Sequence, residues 1–172
     1  MAPAWLNALQ AFTQRVNWLF ARLASLIVLG ITIVILGEVF LRYALNAPTI
    51  WAMDAARFAV VYLFFLALAP ALQSGHHVVV DMFDPLLPLR LRRFVPVVGA
   101  LLTLVFSGVF FWYVLQDARD VFASGETAFS AVTMQLKYIY WIGPVGAFEF
   151  ILTALVLLAR SWYDSVQASR AG

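Results

Sequence analysis

Apolar residues in this chain come in long, nearly unbroken runs, without the strict alternation of half-buried strands or the polar faces of surface helices. A helix needs about 20 mostly apolar residues to cross a hydrocarbon core about 30 Å thick. Four segments have that length, approximately 18–43, 58–75, 94–116 and 138–159. The pattern therefore predicts an all-α membrane protein with four transmembrane helices in a single membrane domain over 1–172. In the first span the uncharged stretch, Leu23 to Gly37, is too short alone, so the span carries Arg22 at one end and Glu38 and Arg42 at the other. Its apolar region is too long for a signal peptide, and no small-residue cleavage site precedes Glu38, which predicts a retained span. The second span contains Pro70, a kink position. The third is free of charge. The fourth has Glu149 at its middle.

Shorter elements are expected at the membrane surface. Trp5, Leu6, Leu9, Phe12 and Val16 recur at near-helical spacing, which predicts a short interfacial helix merging into the first span. The link between spans two and three sets Pro85, Pro88, Arg90, Arg92 and Arg93 among leucines. That reads as a second interfacial segment with snorkelling arginines. Asn46-Ala47-Pro48-Thr49 predicts a turn between spans one and two.

Composition agrees with the membrane reading. The chain is 64% hydrophobic and 12% charged, against roughly 25% charged in soluble domains. Its formal net charge is only +2, and the arginines lie near span ends instead of forming a stripe, so no nucleic-acid partner is expected. There is no cysteine, which excludes disulfides, thiolate metal sites, iron–sulfur ligation and cysteine nucleophiles. The side with both termini and the second loop carries Arg15, Arg22, Arg90, Arg92, Arg93, Arg160 and Arg170. The other side carries Arg42, Arg57, Arg119 and Lys137. This asymmetry predicts both termini in the cytoplasm.

Few residues suggest chemistry. Glu38 and Arg42 are spaced i,i+4, and Asp54 and Arg57 i,i+3; both spacings allow pairing on one helix face. The two pairs read as a salt-bridge network at the outer interface, or as part of a docking surface for a periplasmic partner. Trp51, Tyr138, Tyr140 and Trp141 fit an aromatic belt facing membrane lipids. His76 and His77 are adjacent and point to different faces, so they do not form a metal site, and no metal or cofactor is expected. His77 and Asp81 are spaced to hydrogen-bond if the second helix continues that far. Glu149 is costly at mid-depth and needs a role. It is either a proton or cation site or a hydrogen-bonded group at a helix–helix contact. The second reading is preferred, because no other intramembrane acid or base accompanies it. Phosphate-binding glycine loops, zinc-ligand spacings and nucleophile elbows are absent, so enzymatic activity is not expected.

Arg42-Tyr43, Asn46, Pro48, Trp51 and the acid at Asp54 follow one another in an order that resembles the small, DctQ-like membrane subunit of TRAP (tripartite ATP-independent periplasmic) transporters. His77-Val-Val-Val-Asp81 resembles that family's motif after the second span, and Pro144-Val-Gly146 its motif at the start of the last. The chain departs from the pattern in having Asp54 where the family usually has Glu and Ala67 near a common glycine, and Glu149 belongs to no family motif. The resemblance covers nearly the whole chain. It implies a large multi-span permease subunit carrying the substrate and sodium sites, a periplasmic substrate-binding protein that delivers an organic acid, and a location in the bacterial inner membrane. The small subunit would be the fixed, membrane-anchored part of the complex. The motifs imply partner-surface roles for Arg42, Tyr43, Asn46, Trp51 and Asp54 outside and structural or interface roles for His77, Asp81, Pro144 and Gly146; Arg57 joins the outer set, and Glu38 and Glu149 the structural set, from their own chemistry. Two alternatives come from other classes: a membrane anchor of a redox complex, and a small self-sufficient exporter using Glu149 in a homodimer.

Overall fold

A computed structural model describes residues 3–75, 94–128 and 134–171. Among them the chain forms five helices: α1 (Ala4–Ala44), α2 (Ala52–Gly75), α3 (Val95–Ser124), the one-turn α4 (Lys137–Tyr140) and α5 (Ile142–Ala171). No strand occurs among the described residues. One isolated antiparallel bridge, Thr127 to Gln135, closes the loop between α3 and α4. Four of the helices, α1, α2, α3 and α5, are long and apolar enough to cross a membrane.

The short N-terminal helix expected at the interface is not a separate element. Ala4 to Ala44 is one uninterrupted helix of 41 residues, roughly 60 Å long at about 1.5 Å per residue. That is about twice the thickness of a hydrocarbon core. No glycine–proline break separates the amphipathic start from the apolar run, so backbone hydrogen bonding continues through both. The second expected interfacial segment, between spans two and three, lies outside the described residues.

Local chemistry explains the helix ends. At the end of α1, Leu45 donates its N–H to Leu41 O (3.3 Å) and Ala47 donates to the same carbonyl (3.1 Å). Between them Asn46 turns the chain with φ 51°. Asparagine tolerates this left-handed region better than most residues with a Cβ. Pro48 then follows, where a helix cannot continue. Helix α3 begins with Pro96 in its first turn and ends on Gly125, whose φ is 65° and whose N–H reaches Val121 O. That is the usual glycine stop.

The packing is uneven. Helix α5 is the hub, resting on α3, on α2 and, over a smaller area, on α1. Helix α1 packs mainly along α2, and its contact with α3 is marginal at most. Half of the most apolar stretch of α5 is buried within the fold, against 6% of that of α1. From Ser25 to Gly37 no residue of α1 is buried. In water so much open apolar surface would drive aggregation; in lipid it is the ordinary outer face of a span.

Small residues let α5 come close to its neighbours. A Cβ at Gly146 would stand 2.5 Å from the Phe65 carbonyl oxygen, so the backbones of α2 and α5 nearly touch there. A Cβ at Gly143 would meet Val114 Cγ1 of α3 at 2.8 Å. Ala147 and Ala154 are fully buried on the same helix. Without a hydrophobic drive between helices in lipid, close van der Waals packing of small residues supplies the association. Phenylalanines fill the wider spaces, with Phe65 against Phe110 (6.2 Å between ring centroids) and Phe106 edge-on to Phe150 (6.4 Å).

Candidate functional site: the turn between α1 and α2, a three-helix polar junction, and a groove

The first cluster lies at the turn between α1 and α2. Glu38, nearly two helical turns before the end of α1, is buried at 4% exposure. Its Oε1 accepts from Arg42 Nη2 at 2.7 Å and from Arg42 Nε at 3.2 Å. Its Oε2 accepts from the Thr49 backbone N–H at 3.0 Å and from the Thr49 hydroxyl. One carboxylate thus joins the last turn of α1 to the loop that leads into α2. Thr49 was not legible as a partner: it lies 11 positions from Glu38, beyond any helical spacing.

The remaining residues of this end are placed differently. Tyr43 is 80% exposed, and Asn46 holds the left-handed turn. Trp51 is half exposed, while Asp54 is buried in the first turn of α2. Arg57 approaches Asp54 at 3.9 Å with most of its side chain in the open. A pair of that length and exposure adds little stability. Across the bundle Tyr62 of α2 donates its hydroxyl to the Tyr138 carbonyl and accepts from Trp141 Nε1 at 2.8 Å. Two aromatics expected in a belt therefore also fix α4 to α2. His77 and Asp81 lie outside the described residues.

The second cluster lies toward the termini, where α1, α2 and α5 meet. Asn17 Nδ2 donates to Gln73 Oε1 of α2 at 2.7 Å and to Thr153 Oγ1 of α5 at 3.0 Å. Asn17 is 2% exposed. Further along, Arg160 Nη2 donates to Asn7 Oδ1 at 3.3 Å. The long α1 is therefore tied to α5 by polar contacts over its first half. Sequence reading missed this junction, because a lone Asn, Gln and Thr on three separate helices share no spacing.

The third feature surrounds Glu149. Because α1 and α3 scarcely touch, they leave an open groove of about 470 Å³ over α5. Phe12, Val16 and Phe20 of α1 form one wall, Phe111 of α3 the other, and Phe148 and Glu149 of α5 the floor. Pro144 lies at one end of the same groove. Glu149 is buried at 5% exposure, and its Oε1 has no hydrogen-bond partner among the described residues. Among the described residues no group of three or more His, Cys, Asp or Glu side chains is placed to hold a metal ion. Of the other buried polar side chains, Asn17 and Thr153 join helix to helix, whereas Thr13 and Ser107 bond to carbonyls of their own helices.

Four helices long and apolar enough to cross a bilayer define a multi-pass membrane protein. Residues 31–164 match the family described as tripartite ATP-independent periplasmic transporters, DctQ component, and the chain belongs to that family. Members are transporter components, not enzymes. A curated relative is the sialic acid TRAP transporter permease protein SiaT of Haemophilus influenzae (strain 86-028NP). It is 24% identical over 105 residues, which cover 61% of this chain and 17% of that protein. The chain thus corresponds to less than a fifth of the relative it matches.

Proposed function

We propose that this chain is the fixed scaffold of a TRAP-type secondary transporter. It holds a large multi-span permease subunit in the bacterial inner membrane and helps a periplasmic substrate-binding protein to dock. Both termini lie in the cytoplasm, as the distribution of Lys and Arg favours. The turn between α1 and α2 then faces the periplasm, where Arg42, Tyr43, Asn46, Trp51, Asp54 and Arg57 form the docking rim. Uptake of an organic acid is driven by a sodium gradient, and the substrate and sodium sites belong to the large subunit. Sialic acid, in the relative's name, is such an acid.

The observation that carries this reading is the contrast within the described fold. The polar side chains Asn17, Gln73 and Thr153 tie helices together, while the apolar run from Ser25 to Gly37 has no fully buried residue and turns most of its side chains outward. A substrate path through the chain would call for broken helices and inward-facing ionisable groups. A wall for another subunit calls for rigid spans and free apolar faces. Family membership favours this reading over a redox anchor or a self-sufficient exporter.

Co-expression with the large permease of the same transporter tests it. A tagged copy of this chain is expected to recover the permease in about equal amounts after mild detergent extraction. Recovery of this chain alone would refute the reading.

A further inference from the structure

We infer that the groove between α1 and α3 seats a transmembrane helix of the large permease, and that this helix hydrogen-bonds Glu149 on the groove floor. The inference rests on the scaffold reading above and names the surface that reading leaves open. Three observations lead to it.

First, the groove is apolar on both walls and open along its side, as a seat for a helix or an acyl chain would be. Second, its floor has a polar atom that an acyl chain leaves unanswered. Glu149 is 5% exposed and its Oε1 lacks a partner among the described residues. Lipid tails carry neither donors nor acceptors, and an unanswered polar group in hydrocarbon is costly. A helix that presents one Ser, Thr, Asn, Gln or basic side chain at that depth satisfies it. A phospholipid headgroup has matching chemistry but lies at the membrane surface, whereas Glu149 stands at the middle of the apolar run 138–159.

Third, the proportions of the relative select the partner. In that protein the region like this chain makes up 17% of one long polypeptide. The other four-fifths share the chain with it, so the natural neighbour of this fold is a much larger membrane protein. A second copy docked groove to groove would bring one Glu149 against the other, whereas a larger partner can place a donor there without pairing two acids.

The chain has no cysteine, so single-cysteine probes can be placed without background. Phe148→Cys puts one on the groove floor, and Ile33→Cys puts one on an exposed part of α1 away from the groove. Each is labelled with a benzophenone maleimide in the co-expressed complex and irradiated in the membrane. The Phe148 probe is expected to give an adduct with the large permease, and tryptic mapping is expected to place it in one of the permease's spans. An adduct with a second copy of this chain, or with lipid only, overturns the inference. If the permease co-purifies but no Phe148 adduct forms, the groove assignment fails and the scaffold reading stands. If the permease does not co-purify at all, the scaffold reading itself fails.

A second pair of variants isolates the hydrogen bond. Glu149→Gln keeps a donor and an acceptor at the same place, and recovery of the permease should stay within about threefold of wild type. Glu149→Leu removes both, and recovery should fall below that of Glu149→Gln by about three- to thirty-fold, the range for one hydrogen bond between membrane helices. The isolated Glu149→Leu chain should unfold no more easily than wild type, because the acid's Oε1 has no partner among the described residues. Wild-type recovery with Glu149→Leu, or a destabilised isolated chain, contradicts the assignment.

Discussion

Replacing Gly146 with alanine tests the packing that positions every other feature of this fold. The added Cβ would stand 2.5 Å from Phe65 O and 2.9 Å from both Phe65 C and Phe65 Cβ, whereas ordinary contact begins at 3.4 Å. The obstacle is mainly backbone, so no side-chain rotation relieves it, and α2 and α5 must part by nearly an ångström. Forced overpacking of this kind costs about 1–3 kcal/mol. Alanine returns up to about 1 kcal/mol through its higher helix propensity. The net expectation is a loss of about 0–2 kcal/mol, or about 1–3 kcal/mol relative to a glycine-to-alanine change that meets no obstacle. The matched controls are Gly99→Ala and Gly108→Ala, where nothing lies within 4 Å of the new carbon; these should be neutral or mildly stabilising. Gly143→Ala falls between, because its nearest contact is a valine methyl that can move. Equilibrium unfolding in mixed detergent micelles, followed by tryptophan fluorescence, measures all four variants. If Gly146→Ala is as stable as Gly108→Ala, the close approach of α2 and α5 is wrong.

Three other perturbations probe the remaining contacts. Asn17→Leu breaks both bonds of the three-helix junction and should cost about 1–2 kcal/mol in the same assay; a double-mutant cycle with Thr153→Ala should show coupling, and strict additivity would mean that the bond does not form. At Asn46, with its φ of 51°, glycine should be tolerated while valine lowers stability by about 1–2 kcal/mol; equal stability of the two variants would show that the turn is not left-handed. Glu38→Ala should loosen the link between α1 and the loop into α2, and Thr49→Val should do so by a smaller step. The readout is faster hydrogen exchange at the Thr49 amide, and unchanged exchange in Glu38→Ala would contradict the contact.

Hydropathy was enough to find four helices long and apolar enough to cross a membrane, because an apolar run of that length has few other uses. The i,i+4 pairing of Glu38 with Arg42 was equally legible, since helical geometry alone brings the two together. Contacts between elements were not. Thr49 reaches Glu38 only after the chain has turned at Asn46. Asn17, Gln73 and Thr153 meet only because three helices cross at that level. Gly146 was noticed as a motif residue, but its reason, the Phe65 carbonyl beside it, belongs to another helix. The continuity of α1 was also only half visible. An amphipathic start followed by an apolar run suggests two elements, whereas the backbone needs only the absence of a breaker to make one. Glu149 stood out at once as an acid in an apolar span. The sequence had no means of showing that it lies on the floor of a groove.

Reconstituted uptake tests the central claim most directly. Proteoliposomes containing the large permease and this chain, supplied with the substrate-binding protein loaded with its organic acid, are expected to take up that acid under an inward sodium gradient. Leaving out this chain should reduce uptake to background, and this chain with the binding protein alone should transport nothing. Full uptake by the permease and binding protein without it, or uptake by this chain alone, would contradict the scaffold account.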